Sequence, residues 1–264
     1  MLLRKLVSIQ IKNATNRRGI ISMIILLIVL MSSSVFAQKA PEYSNDFLMD
    51  DQMLYFFMAD RLEYNVNSGL NPIVLDAQGY IGKDLNKLWI EAEGEVLTAE
   101  TEGETELEAL YGRAISAYFD ARAGIRYDIA YNADDTRTRG FAVIGIQGLA
   151  PYLFEVDGNI FVSEAGDVSA ALEAEYDFPI TQRLWGQPRL ETSVAVQEVP
   201  EWGVGSGFNN VQLGFRLRYE IEREFAPYIG ISWNRQLGQT ADFSLAEGGD
   251  ASIFGLVGGV RMWF

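Results

Sequence analysis

The sequence predicts an all-β protein, a closed antiparallel transmembrane β-barrel of about twelve strands. Three observations carry this. Segments along the chain alternate apolar and polar residues with a period of two, the side-chain repeat of a strand. The connections between them alternate between compact and long, as the two ends of an outer-membrane barrel do. In the five clearest segments the polar register is rich in charge and the apolar one has none, so one face is built for water and the other is not.

The chain opens with five basic residues (Arg4, Lys5, Lys12, Arg17, Arg18), an apolar run from Ile20 to Met31, and "SSSVFA". That is the form of a secretory leader, and the apolar run is too short to span a bilayer as a helix. Val35 and Ala37 are small enough for a cleavage site, so residues 1–37 are expected to be removed. A short periplasmic segment, 38–52, is then expected, followed by a barrel over 53–264. Of 264 residues, 36 are acidic and 21 basic, and the leader takes five of the basic ones with it. Acidity on this scale disfavours nucleic acid, whose phosphates it would repel. The chain has no Cys, so export brings no disulfides. It also has no His, which removes the commonest metal ligand and the base that activates a serine. No enzyme is expected: the chain shows no phosphate-binding glycine loop, and a twelve-stranded outer-membrane phospholipase would need that histidine.

The strands follow in order. Weaker candidates cover Leu54 to Val66, Val74 to Ile81, Lys87 to Leu97 and Glu104 to Ile115. Phe119 to Ile129 is the first clear one, with Phe119, Ala121, Ala123, Ile125, Tyr127 and Ile129 against Asp120, Arg122, Arg126 and Asp128. Arg139 to Gly148 is weaker again, and Tyr152 to Val162 and Val168 to Phe178 are clear. Leu184 to Gln197 contains Pro188, which cannot donate to a ladder and predicts a bulge or an early strand end. Val211 to Ile221, Ala226 to Arg235 and Phe254 to Phe264 complete the set. In the five clear segments no apolar-register position is charged. The compact connections include "GKDLN", "SAY" and "ITQR". The long ones include "TAETEGETE", an acidic external tip whose carboxylates suit hard divalent cations, and "QLGQTADFSLAEGGD". Both termini are then periplasmic.

Alternation alone does not say which way the apolar face looks. A ring of about twelve strands is too wide for apolar side chains to fill, since about eight is the size that packs solid. Aromatic residues such as Phe154, Tyr176, Phe178, Tyr219 and Phe225 gather near strand ends, as interfacial girdles require. The last strand, "GVRMWF", closes on Phe264 in the form of the signal read by the barrel-assembly machinery. The apolar register is therefore assigned to outer-membrane lipid and lipopolysaccharide, and the charged one to a wet lumen.

Two sets of lumen residues result. Asp76, Glu91, Glu93, Glu155, Asp157, Glu173, Glu175, Asp177 and Glu191 form a candidate cation pathway. Arg122, Arg126, Arg189, Arg216, Arg218 and Arg261 are expected to pair with them and brace the barrel. A separate soft-metal candidate combines Met49, Met53 and Met58 with Asp46, Asp50 and Asp51, because thioethers suit Cu(I). The competing assignment is packing, the commoner use of Met.

Several blocks resemble the copper resistance protein B family of Gram-negative outer-membrane proteins. They are "DRLEY" (Asp60 to Tyr64), "QGYIGKDLNKLWIEAEGE" (Gln78 to Glu95), "YFDARAGIRYD" (Tyr118 to Asp128) and "GIQGLAPYLFEVDGNIFVSEAG" (Gly145 to Gly166). "LEAEYDFPITQRLWGQPRLE" (Leu172 to Glu191), "GFRLRYE" (Gly214 to Glu220) and "EFAPYIGISW" (Glu224 to Trp233) extend the likeness. It implies an outer-membrane barrel that binds, sequesters or passes copper ions alongside a periplasmic multicopper oxidase. Family members carry a Met- and His-rich stretch ahead of the barrel; here residues 38–58 hold three Met and no His.

Overall fold

The computed structural model describes residues 52–67, 71–97 and 102–264. The predicted leader, the periplasmic segment apart from Gln52, and with it Asp46, Met49, Asp50 and Asp51, lie outside the described residues.

The strands are β1 (Leu54–Asn67), β2 (Pro72–Lys83), β3 (Asn86–Leu97), β4 (Gly103–Ala114), β5 (Phe119–Tyr131), β6 (Thr136–Ala150) and β7 (Phe154–Ser163). Then come β8 (Val168–Tyr176), β9 (Phe178–Pro179), β10 (Leu184–Ala195), β11 (Gly207–Tyr219), β12 (Phe225–Gln236) and β13 (Ser252–Trp263). Neighbours pair antiparallel throughout, and β13 pairs back onto β1, so the sheet closes on itself without an edge. β9 is an extra two-residue strand continuing the line of β8, since both pair with β10 in one register. The ring therefore has twelve staves. Among the described residues no helix is long and apolar enough to cross a membrane; the strands do the crossing.

Pro188 accounts for the break between β8 and β9. β10 runs through it, paired to Phe215 of β11 on one side. On the other side the ladder resumes only at Arg189 opposite Glu175 and at Gly186 opposite Phe178. The missing N–H interrupts the neighbouring strand at Asp177 instead of bending its own, which corrects the expected bulge or early end.

The apolar register faces outward. Ile125, Ile144, Ile229 and Leu256, near the middle of their strands, are all more than half exposed. An apolar belt running round the whole ring far exceeds the patches that soluble monomers show, and hydrocarbon is the medium that makes it favourable. Phe154, Tyr176, Phe178 and Phe215 form a contiguous aromatic row with ring centroids 4.9–6.3 Å apart. The inward register is not wholly polar. Trp89, Leu110, Val143 and Phe161 make a dry cluster inside the ring. They fall in one cross-strand row, completed by Gly124 between Leu110 and Val143, where a Cβ would strike the backbone of Ala109.

Three boundaries differ from the sequence reading. Tyr152 stands in a tight turn (Pro151–Leu153) before β7, and β11 begins at Gly207 and stops short of Ile221. The long connection after β12 holds a helix, α1 (Gly238–Ala246), where only loop was expected. The last four residues of "TAETEGETE", Gly103 to Glu106, belong to β4, as the strand candidate from Glu104 had it, and Thr98 to Thr101 lie outside the described residues.

Candidate functional site

The lumen holds a cavity of about 630 Å³. Eight of the nine predicted pathway acids line it: Asp76, Glu91, Glu93, Glu155, Asp157, Glu173, Glu175 and Glu191. Asp177 does not; unpaired in the gap between β8 and β9, at the level of Gln187, it meets Arg218 at 2.6 Å and Arg261 at 3.4 Å.

Strand register sets these acids face to face. On β3 and β4 the opposed pairs are Glu91 with Glu108, Glu93 with Glu106 and Glu95 with Glu104. The Glu93 row continues to Asp76 on β2 and to Asp128 on β5. On the other wall Glu155 faces Glu175, and Asp157 faces Glu173, which in turn faces Glu191. Like charges directly opposite each other destabilise a sheet. Their persistence on the wet face therefore needs counter-ions.

Arginines supply part of them, and all six predicted bracing arginines do so. Arg122, with a fully buried side chain, joins Glu91 at 2.5 Å and Asp157 at 2.6 Å. Arg126 meets Glu106 and Asp128 at 2.6 Å and Glu108 at 4.0 Å. Arg216 pairs with Glu63 at 2.8 Å, and Arg261 reaches Asp60 at 2.9 Å. Arg189 gathers five carboxylates, treated below.

Sequence reasoning missed Arg61, which bridges Asp76 at 3.0 Å and Glu93 at 2.7 Å, together with Asp60 and Glu63. The cause is a bulge in β1. Registers with both neighbours shift just after Ala59, so the adjacent Asp60 and Arg61 are both buried toward the lumen. A bulge breaks the two-residue period that pattern reading relies on. Glu106, Glu108 and Asp128 were missed as pathway residues although "ETELEALY" alternates cleanly, with Leu107 and Tyr111 pointing out.

Glu95 and Glu104 have no ion-pair partner among the described residues, so their opposition is the least compensated. Changing both to Gln is expected to raise barrel stability by about 0.2–1 kcal/mol, as relief of one facing like-charge pair gives. Urea unfolding in detergent micelles checks this; a loss of stability would mean the pair holds a structural cation.

The mouth at the long-loop end is partly covered. The connection from β10 to β11 folds back through a bridge between Val199 and Val204, and Trp202 lines the cavity. Arg137 and Arg139 of β6 lie 5.8 and 5.9 Å from the Trp202 ring, within cation–π range, and Arg137 donates to the Glu201 carbonyl. On its other flank the same loop is tied to α1, with the Gly205 N–H and Asn209 Nδ2 both donating to Thr240 Oγ1 at 2.9 Å.

Of the soft-metal candidates, Met53 and Met58 are described. Met53 is exposed ahead of β1, while Met58 is buried in the lumen with its sulfur accepting from Arg261 at 3.3 Å. Their odd separation puts them on opposite sides of extended backbone. Phe264 pairs with Phe57 through both backbone bonds, so the last residue is stitched into the first strand.

A closed antiparallel ring, apolar outside and charged inside, defines a porin-like β-barrel of the membrane-spanning class. A comparison of folds agrees: NanC porin, 13% identical, superposes with a TM-score of 0.52 over 78% of this chain and 98% of its own. The chain belongs to the copper resistance protein B family. The family described as copper resistance protein B precursor (CopB) matches residues 53–264. Copper resistance protein B homolog of Pseudomonas syringae pv. tomato is 38% identical over 215 residues, covering 81% of this chain and 71% of the relative. Copper resistance protein B of Escherichia coli is similar to the same extent.

Proposed function

We propose that the chain sits in the outer membrane of a Gram-negative bacterium, with both termini periplasmic, and contributes to copper resistance by passing copper ions through its lumen. The ions are cargo, and the barrel does no catalysis. The observation that carries the reading is the pair of facing acid walls: fourteen carboxylates on one cavity attract cations and repel anions. Carboxylate oxygen is an acceptable ligand for Cu(II), weak enough to release it, which passage requires. Met49 and Met53, with Asp46, Asp50 and Asp51, are proposed to collect Cu(I) where the chain enters the barrel, while Met58, its sulfur held by Arg261 in the lumen, stands apart from them. Lipopolysaccharide surrounds the ring, the barrel-assembly machinery inserts it, and a periplasmic multicopper oxidase is the proposed partner on the copper side.

A deletion strain grown on graded copper, zinc and silver, with and without the gene restored, tests the reading. Copper sensitivity reversed by the intact gene is expected, and sensitivity to none of the metals would leave a plain diffusion channel. Calorimetric titration with Cu(I) tests the methionines separately. Unchanged binding after Met49→Ala plus Met53→Ala would remove that site.

A further inference from the structure

The lumen is bridged near mid-height by one side chain. Arg189 of β10 is almost wholly buried, 2% exposed. Its guanidinium lies 2.6 Å from Glu173 and 3.6 Å from Glu191 through Nη2. Through Nη1 it lies 3.1 Å from Glu175, 3.5 Å from Asp76 and 3.8 Å from Asp60. These carboxylates come from β8, β10, β2 and β1. Between β10 and β2 stand four strands one way round the ring and the remaining staves the other, so the contact with Asp76 nearly spans the bore.

The charge around this arginine does not balance. Beyond Arg189, the guanidinium partners of its five carboxylates are Arg61, on Asp76, and Arg261, on Asp60. Three cations thus serve five anions, and Glu155, which has no ion-pair partner among the described residues, faces Glu175 directly across the strands. Five convergent carboxylates are what a mobile cation would seek, and the place is taken by a cation fixed to the wall. Guanidinium cannot escape by losing its proton, because its pKa is beyond reach in proteins.

We propose that Arg189 is a tethered counter-cation that occupies the ion pathway and decides what passes. Building on the cation-passage reading, an incoming ion crosses by taking over the carboxylates that Arg189 holds. Asp60 and Asp76, on the far wall, yield first, being reached only at 3.8 and 3.5 Å and already shared with Arg261 and Arg61. Glu173 keeps the guanidinium on its own wall meanwhile. A small multivalent cation competes for such a site better than a monovalent one, since it brings two charges to the same oxygens. The residue therefore selects by charge density and keeps the leak of abundant monovalent ions low.

Planar-bilayer conductance of the full barrel in potassium chloride tests this without copper. Arg189→Gln is expected to raise potassium conductance several-fold and to increase preference for cation over chloride. Asp76→Asn, which cuts the nearer of the two far anchors and leaves the arginine and Asp60 in place, is expected to raise conductance by a smaller factor. Folding of each variant is read from heat-modifiable migration on a gel. Conductance unchanged in both folded variants would overturn the proposal. If Arg189→Gln does not fold, Asp76→Asn decides alone: unchanged conductance overturns the proposal and a rise supports it. The copper-growth experiment fails or succeeds independently. A strain indifferent to copper with an Arg189→Gln barrel that conducts would remove the copper reading and keep the tethered cation.

Discussion

Ile125→Arg is expected to destabilise the barrel by about 2–4 kcal/mol, the cost of placing an arginine on the lipid face of a membrane barrel near the bilayer midplane. Ile125 is the central residue of β5 and is 65% exposed. Its cross-strand neighbours are Ala109 and Ala142, both small, so an arginine there meets no steric obstacle. In a water-soluble barrel the same exchange at an exposed position would fall within about ±0.5 kcal/mol. The two environments therefore predict results that do not overlap. Equilibrium unfolding in urea from lipid vesicles, with Ile125→Val as the control for side-chain loss, gives the number. A shift below about 0.5 kcal/mol would place the apolar face in water and end the membrane assignment.

That assignment was legible because it rests on a local rule. Successive side chains of a strand point to opposite faces, so "FDARAGIRYDI" declares both its conformation and its wet side within eleven residues. The same rule failed where the backbone departs from it. At Asp60 the extra residue of a bulge turns two neighbouring charges to one face, and the alternation assigned neither Asp60 nor Arg61 to the lumen. At Pro188 the irregularity was anticipated but assigned to the wrong strand, because which neighbour loses its partner depends on which side the absent N–H would point. Glu104 and Glu106 were read twice, as the start of a strand and as part of the acidic connection before it, and the structure puts both in β4, which begins one residue earlier at Gly103. The helix α1 gave no signal, having no buried residue and hence no apolar stripe.

The lumen chemistry divides in the same way. That the acids and arginines share a face follows from period alone, and each of the six arginines lies within ion-pair distance of an acid. Who pairs with whom does not follow, because it depends on registers accumulated around a closed ring. Arg216 and Glu63 are 153 residues apart and meet only because β13 closes on β1. No local pattern contains that distance.

The Arg216–Glu63 pair is also where removal of one charge is expected to cost most. The Nε of Arg216 donates to Glu63 at 2.8 Å, and each side chain is only 3% exposed. Arg216→Met leaves a carboxylate buried without its partner, a situation that costs about 3–5 kcal/mol. Adding Glu63→Gln removes that stranded charge, so the double variant is expected to recover most of the loss. The contrast separates two roles that the structure alone would leave merged. If the single variant is costly and the double is not, the pair is a mutual neutralisation that the barrel tolerates rather than a source of its stability. If both variants lose equally, the guanidinium is holding the wall through its packing against Tyr228, whose ring centroid lies 5.8 Å away, and not through its charge. Unfolding midpoints in urea for the two variants, compared with the parent barrel, decide between them.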